Sequence, residues 1–200
     1  MDDEFTFEVA DLQRINLVGT SSSGKSTLGR QLSEILDAPY VEMDVLFHGP
    51  NWTEAEPEVF RQRVADAVAA DKWVLDGNYH SKTHDIKWSR ATMIVWLDMP
   101  YATNMYRAVC RAVHRSWTQQ ELWPGTGNRE SFRQTFFSTD SMILWTAKSF
   151  WRLRKRYAKI KRDPPKGVRF IQLSNTADVE RFKRRAIDLR KSQIDGGQKK

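Results

Sequence analysis

The sequence predicts an α/β protein in which a parallel β-sheet is covered by helices on both faces. Two observations carry this. Short apolar runs of β-forming residues alternate with stretches whose apolar residues recur at helical spacing, and the first run ends in a glycine-bounded, serine-rich turn that opens a helix. Two hundred residues suit one domain, and a content of 40% apolar and 28% charged residues excludes disordered and low-complexity classes.

The elements follow in order. Arg14-Ile15-Asn16-Leu17-Val18 is a first strand that stops at Gly19, and Leu28, Leu32, Ile35 and Leu36 mark the helix after it. Beyond Pro39, Tyr40 to Met43 is a second short strand ending at Asp44, with a loop expected through Gly49-Pro50-Asn51-Trp52. Thr53 and Glu56 have the spacing of a capping box before a helix whose face is Val59, Phe60, Val64, Ala67 and Val68. Trp73-Val74-Leu75 is a third strand ending at Asp76-Gly77, and Met93 to Leu97 a fourth ending at Asp98 and Pro100. Met105, Val109, Ala112 and Val113 then form an apolar helical stripe, with Arg107, Arg111 and Arg115 four apart on another. The pattern breaks at Pro124-Gly125-Thr126-Gly127. Helical spacing resumes at Phe132 and Phe136 and runs through Ile143, Ala147, Phe150 and Trp151 until Pro164-Pro165 ends it. Val168 to Leu173 is a fifth strand, Asp178 to Arg190 a last helix, and residues 195–200 are expected to fray.

Charge and cysteine content narrow the classes further. Residues 107–162 hold thirteen Lys and Arg against three acidic residues, a net +10 in a chain whose total is +7, so the remainder is close to neutral. A basic segment of this kind suits a polyanion, whether the phosphates of a nucleotide, nucleic acid or an acidic surface. The single cysteine, Cys110, forms neither an internal disulfide nor a cysteine-based zinc site, and its place near the apolar stripe predicts a core thiol. The acidic start Met1-Asp2-Asp3-Glu4 is unlike a secretory signal, and no apolar run is long enough to span a bilayer, so the expected address is cytoplasmic. The four histidines lack metal-ligand spacing, and Trp145 and Trp151 are expected in the core or an interface.

Chemistry enters at Gly19-Thr20-Ser21-Ser22-Ser23-Gly24-Lys25-Ser26, where every fixed position of the phosphate-binding loop is filled and Thr27 follows. Glycines at both ends let the backbone curl so that successive N–H groups point at phosphate oxygens, and the helix after the loop adds its positive end. The nucleotide-binding set is Gly19, Ser22, Ser23, Gly24, Lys25, Ser26 and Thr27. Lys25 is placed for the β- and γ-phosphates of ATP and Ser26 for magnesium, the cofactor this chemistry uses. Acidic residues at strand ends gain meaning beside such a loop, since ligands bind beyond the carboxyl ends of parallel strands. Asp76 is positioned to hold Mg2+ through water, or else to cap a turn before Gly77. Asp44 either orients and deprotonates an acceptor hydroxyl or caps a loop, and Asp98 before Pro100 has the place of a turn former.

These residues carry a resemblance. The phosphate loop, Met43-Asp44-Val45-Leu46-Phe47 with Gly49-Pro50-Asn51-Trp52, Trp73 through Tyr79, and Trp88-Ser89-Arg90-Ala91 with Val95 through Pro100 together resemble adenylate-kinase-like proteins of the DNA topology modulation protein FlaR type, from about Ile15 to Phe182. The resemblance implies the nucleoside-monophosphate-kinase type of P-loop NTPase fold: a five-stranded parallel sheet with helices on both faces, an acceptor region and a helical lid bearing arginines. Asn78-Tyr79-His80 stands where adenylate kinases carry Phe-Pro-Arg after Asp-Gly, and Gly24-Lys25-Ser26-Thr27 is closer to shikimate and gluconate kinases. By this likeness the chain is one kinase-like domain over residues 1–200, with the lid at roughly 107–162. Arg107, Arg111 and Arg115 join Lys25, Asp44 and Asp76 as catalytic candidates, and Asp44, Trp52, Asn78, Tyr79 and Arg90 form the acceptor-binding set.

The reading is thus an ATP-binding, magnesium-dependent phosphotransferase acting on a small-molecule or nucleotide acceptor. Its rival is a nucleotide-binding regulator that docks on DNA or a protein through the basic segment. Gly77 after Asp76 leaves no adjacent glutamate to activate water, which favours transfer over plain hydrolysis.

Overall fold

The computed structural model describes residues 5–119, 121–123, 125–129 and 142–197. Five strands, β1 (Arg14–Gly19), β2 (Tyr40–Glu42), β3 (Trp73–Asp76), β4 (Met93–Leu97) and β5 (Arg169–Leu173), form one sheet in the order β2-β3-β1-β4-β5. Every neighbouring pair is parallel, with Leu17 level with Asp76 across β1 and β3 and Gly19 level with Leu97 across β1 and β4. All five residues of β4 are buried, as a central strand covered on both faces requires.

Side-chain alternation along the strands divides the core in two. Ile15, Leu17, Val74, Met93, Val95, Ile171 and Leu173 face α1 (Lys25–Leu36) and the C-terminal helix, through Leu28, Leu32, Phe182 and Ala186. Val18, Trp73, Leu75, Ile94 and Trp96 point the other way, against Phe60 and Val64 of α3 (Pro57–Ala67), Trp88 of α4 (His80–Trp88), and Leu153 and Tyr157 of α6 (Met142–Arg162). The sheet is therefore sandwiched, as the alternating pattern predicts.

Several expected boundaries differ. The stretch after β2 is not a loop: Met43–Phe47 forms a short helix, α2, which buries Met43 and Phe47. Thr53 does not cap α3. That helix starts at Pro57, a residue suited to a first turn, with Glu56 before it, while the Thr53 hydroxyl donates to the Pro50 carbonyl. Helix α5 (Tyr101–Thr118) buries Ala112 as expected, together with Asn104 and Ala108 rather than Val109 and Val113. Val109, Val113 and Cys110 are exposed, so the thiol is not in the core, and Trp151 on α6 is exposed as well. The last helix, α7 (Thr176–Gly197), continues through residues expected to fray, with 198–200 outside the described residues. The resumption of helical spacing at Phe132 and Phe136 also lies outside them, as does Pro124. No helix among the described residues is long and apolar enough to cross a membrane.

Candidate functional site

Strand order creates the crevice. From β1 the chain crosses to β2 on the far side of β3, whereas from β3 it crosses back over β1 to β4. The connections leaving β1 and β3 diverge, and the gap at their C-terminal ends is where parallel sheets bind ligands. The phosphate loop follows β1 and Asp76 ends β3.

Gly19 has φ +144°, and a Cβ on it would lie 2.5 Å from the Leu97 carbonyl oxygen on β4, so no larger residue can start the loop there. The loop turns through Ser22 in the left-handed region and a Ser23 N–H bond to the Thr20 carbonyl, and Gly24 at φ +101° opens α1. The Lys25 ammonium donates to the carbonyls of Gly19 (3.2 Å) and Thr20 (2.9 Å). Burial lowers its pKa, against the opposing pull of Asp76 and Asp44. The hydroxyl oxygens of Ser22 and Ser23 are buried with no hydrogen-bond partner among the described residues. Unsatisfied polar atoms in a curled loop at a helix N-terminus fit an anionic ligand.

The magnesium candidates are together. Ser26 Oγ donates to Asp76 Oδ2 at 2.6 Å, and the Tyr40 hydroxyl donates to the same oxygen at 3.0 Å. Hard oxygen donors of this kind fit Mg2+, which is held by one or two protein groups and by phosphate oxygens. No group of three or more His, Cys, Asp or Glu among the described residues is arranged to hold a metal by itself. Glu42, two residues before Asp44, belongs to the same cluster: burial first, then Asp76 and Asp44, raises its carboxyl pKa. Its signal was in the sequence, since like Asp76 it ends a strand.

Asp44 on α2 accepts from the Tyr79 hydroxyl at 2.7 Å. Burial and the Asp44 charge push the phenol pKa well above its usual value, so Tyr79 is a fixed donor. Trp52 is partly exposed beside a patch that sequence reading missed, in which the His48 ring stacks on Trp123 with centroids 5.0 Å apart. The buried Asn128 amide clamps this patch, accepting from Trp52 N–H at 3.0 Å and donating to the Gly49 carbonyl at 2.9 Å. A lone asparagine in a glycine-rich turn gives no sequence sign of such a contact.

Two acceptor candidates are corrected. Asn78 spends its amide on the loop: Oδ1 accepts from Gly19 N–H (3.0 Å) and the Tyr157 hydroxyl (3.0 Å), and Nδ2 donates to the Gly19 carbonyl (2.8 Å). It braces the phosphate loop. Arg90 lies at the opposite, N-terminal end of the sheet, where its carbonyl accepts from Arg14 at the start of β1 and its guanidinium donates to Ala69. It stands a full strand length from the crevice.

Of the three α5 arginines, Arg107 donates to the Ser23 carbonyl (3.2 Å) and Arg111 to Ser21 Oγ (2.7 Å). Arg115 lies one turn further on and is half-buried. Asp98 does more than turn the chain. It is buried, accepts from Arg154 (3.2 Å) and Gln172 (2.8 Å), and so ties one cation of the later basic run to the sheet.

No family model matches the chain, and no curated protein does. Solved structures do. A shikimate kinase from Acinetobacter baumannii, in complex with shikimate, is 16% identical, with 91% of this chain and 94% of that one covered at a TM-score of 0.52. A shikimate kinase from Bacteroides thetaiotaomicron is 18% identical, covering 88% and 97% at 0.51. A gluconokinase from Sinorhizobium meliloti 1021 is 15% identical, covering 92% and 95% at 0.49. With its strand order, phosphate loop and helices on both faces, the chain shares the P-loop fold of these shikimate kinases.

Proposed function

We propose that this chain is a magnesium-dependent phosphotransferase that moves the γ-phosphoryl group of ATP to a hydroxyl of a small molecule. The observation that carries the reading is the convergence of Lys25, the Ser26–Asp76 pair and the Tyr79-held Asp44 at one end of the sheet. The loop N–H groups and Lys25 bind the β- and γ-phosphates. Ser26, and Asp76 through water, would hold Mg2+, which when bound neutralises phosphate charge.

In the transfer step the acceptor oxygen forms its bond to the γ-phosphorus while the bond from that phosphorus to the β–γ bridging oxygen breaks, and ADP leaves. The proton of the acceptor hydroxyl passes to Asp44, whose free oxygen is left available because Tyr79 occupies Oδ1. Arg107 and Arg111, already at the loop, are placed to meet charge that develops on the transferred group.

An alcohol is favoured as acceptor because the carboxylate at Asp44 suits a hydroxyl. The arginine that a nucleoside monophosphate would need after Asp76-Gly77 is replaced by Asn78-Tyr79, and Asn78 is committed to Gly19. Shikimate, bound in one structural neighbour, is an alcohol and belongs on the test panel. The FlaR-type resemblance agrees with a kinase-like use of the fold. ADP release across shikimate, gluconate, nucleosides and nucleoside monophosphates tests the reading. Turnover with an alcohol that Asp44→Asn abolishes supports it, and absence of nucleotide binding by the wild-type chain refutes it.

A further inference from the structure

Beneath the crevice lies a buried lysine with no role in the phosphate chemistry. Lys87, near the end of α4, is wholly buried and bonds to no carboxylate among the described residues. Its ammonium donates to the Gly77 carbonyl (3.1 Å) and the Asn78 carbonyl, with the Met43 sulfur at 3.7 Å. Burial lowers its pKa to about 7, with Asp76 acting the other way. A desolvated ammonium without a counter-ion is costly, and a methionine of similar length would fill the same space without that cost. What the lysine supplies beyond packing is its pair of bonds to consecutive carbonyls.

Those carbonyls belong to a distorted turn. Gly77 has φ +149°, where a Cβ would meet Met43 at 2.7 Å, and Tyr79 has φ +28°. The Gly77 carbonyl is held a second time by Asn16 Nδ2 at 3.3 Å, while the Asn16 oxygen accepts from the Trp88 indole at 2.9 Å. The turn aims Asn78 at both backbone groups of Gly19, the first residue of the phosphate loop. Lys87 grips the Asn78 backbone, and Asn78 grips the loop.

We propose that Lys87 is a positioning residue which, acting through Asn78, sets the place and orientation of Gly19 and hence of the loop that receives phosphate. The inference rests on the nucleotide-binding reading above. Its test is a double-mutant cycle on the full chain, using magnesium-ATP affinity by calorimetry alongside thermal unfolding. Lys87→Met is expected to fold with thermal stability close to wild type, because the cost of burying the ammonium is removed together with its bonds to the two carbonyls. Its magnesium-ATP affinity is expected to fall about tenfold to a hundredfold, the scale for losing a residue that orients a binding group. Asn78→Ala is expected to fall similarly, and the double variant no further than Asn78→Ala alone. A folded Lys87→Met protein with wild-type affinity, or losses that add in the double variant, overturns the role. Should Lys87→Met fail to fold, Lys87→Gln replaces it: a donor one methylene short predicts an intermediate loss, and wild-type affinity there also overturns the role. Failure of the wild-type chain to bind ATP is a separate outcome, and it removes the functional reading itself.

Discussion

Replacing Asp76 by Asn tests the metal assignment, because two opposing electrostatic effects then separate. In the folded chain Asp76 is buried and one of its oxygens accepts from both Ser26 (2.6 Å) and Tyr40 (3.0 Å). The amide oxygen of Asn can still accept from both hydroxyls, so each bond loses charge assistance, about 1 kcal/mol apiece and about 2 kcal/mol together. The burial cost of a carboxylate beside Glu42 and Lys25 disappears at the same time. Net stability therefore changes by less than about 2 kcal/mol, and the variant folds. Without metal, a carboxylate at this place repels the triphosphate, so ATP affinity in EDTA is expected to hold or rise. With magnesium, the variant loses the group that orients the bound ion, at a cost of about tenfold to a hundredfold in affinity. Calorimetric titrations of ATP with excess magnesium and with EDTA give the ratio directly. Equal losses in both conditions would refute the metal role and show that Asp76 acts only on the shape of the loop.

Three further outcomes are expected. Lys25→Ala abolishes detectable ATP binding or turnover while leaving the circular dichroism spectrum unchanged, since among the described residues this lysine bonds to carbonyls of its own loop. Arg107→Ala or Arg111→Ala lowers kcat by roughly a hundredfold, the scale for one preorganised donor to developing charge, while changes at Arg152, Lys155 and Arg156 do little. Salt-sensitive DNA affinity carried by those later residues would favour the regulator instead. Stability measured by urea melts rises between about pH 7 and about pH 10. Lys87 has its pKa lowered to about 7 in the folded chain from an ordinary 10.5, so the unfolded chain binds more protons across that window and loses ground as pH climbs. Lys87→Met is expected to flatten the rise.

Legibility in the sequence followed how local each cause is. Strand and helix placement rests on periodicities that repeat within ten residues, so the alternation of Ile15 and Leu17 with Asn16 and Val18 was visible, and so was the phosphate loop, a contiguous pattern; the order of the strands in the sheet was not. The short helix at Met43–Phe47 was missed because five residues complete barely more than one turn and leave no period to see. The α5 stripe was read only in part: Ala112 is buried as expected, but with Arg107 and Arg111 bonded to the loop it is Ala108, rather than Val109 and Val113, that joins it in the core.

The brace beneath the site was invisible on stronger grounds. A phosphate loop made of glycine and serine has almost no side-chain mass with which to pack, so its place must be imposed from outside. Gly19 is fixed through Asn78, fifty-nine residues away, and Asn78 through Lys87 and through Tyr157, seventy-nine residues beyond it. A lysine in a helix next to His84 and Asp85 has the local look of a solvent-facing residue, and an asparagine after Asp-Gly has that of a turn. Neither residue's neighbours in sequence contain the partner that gives it meaning. Asn78 stands at the crevice, as its position after Asp76-Gly77 suggests, but its amide faces inward, where it accepts from the Gly19 N–H and shares the Gly19 carbonyl with Lys25. Tyr157 lies on α6, within the basic segment, so a shift of that helix would be felt at Gly19 through two hydrogen bonds.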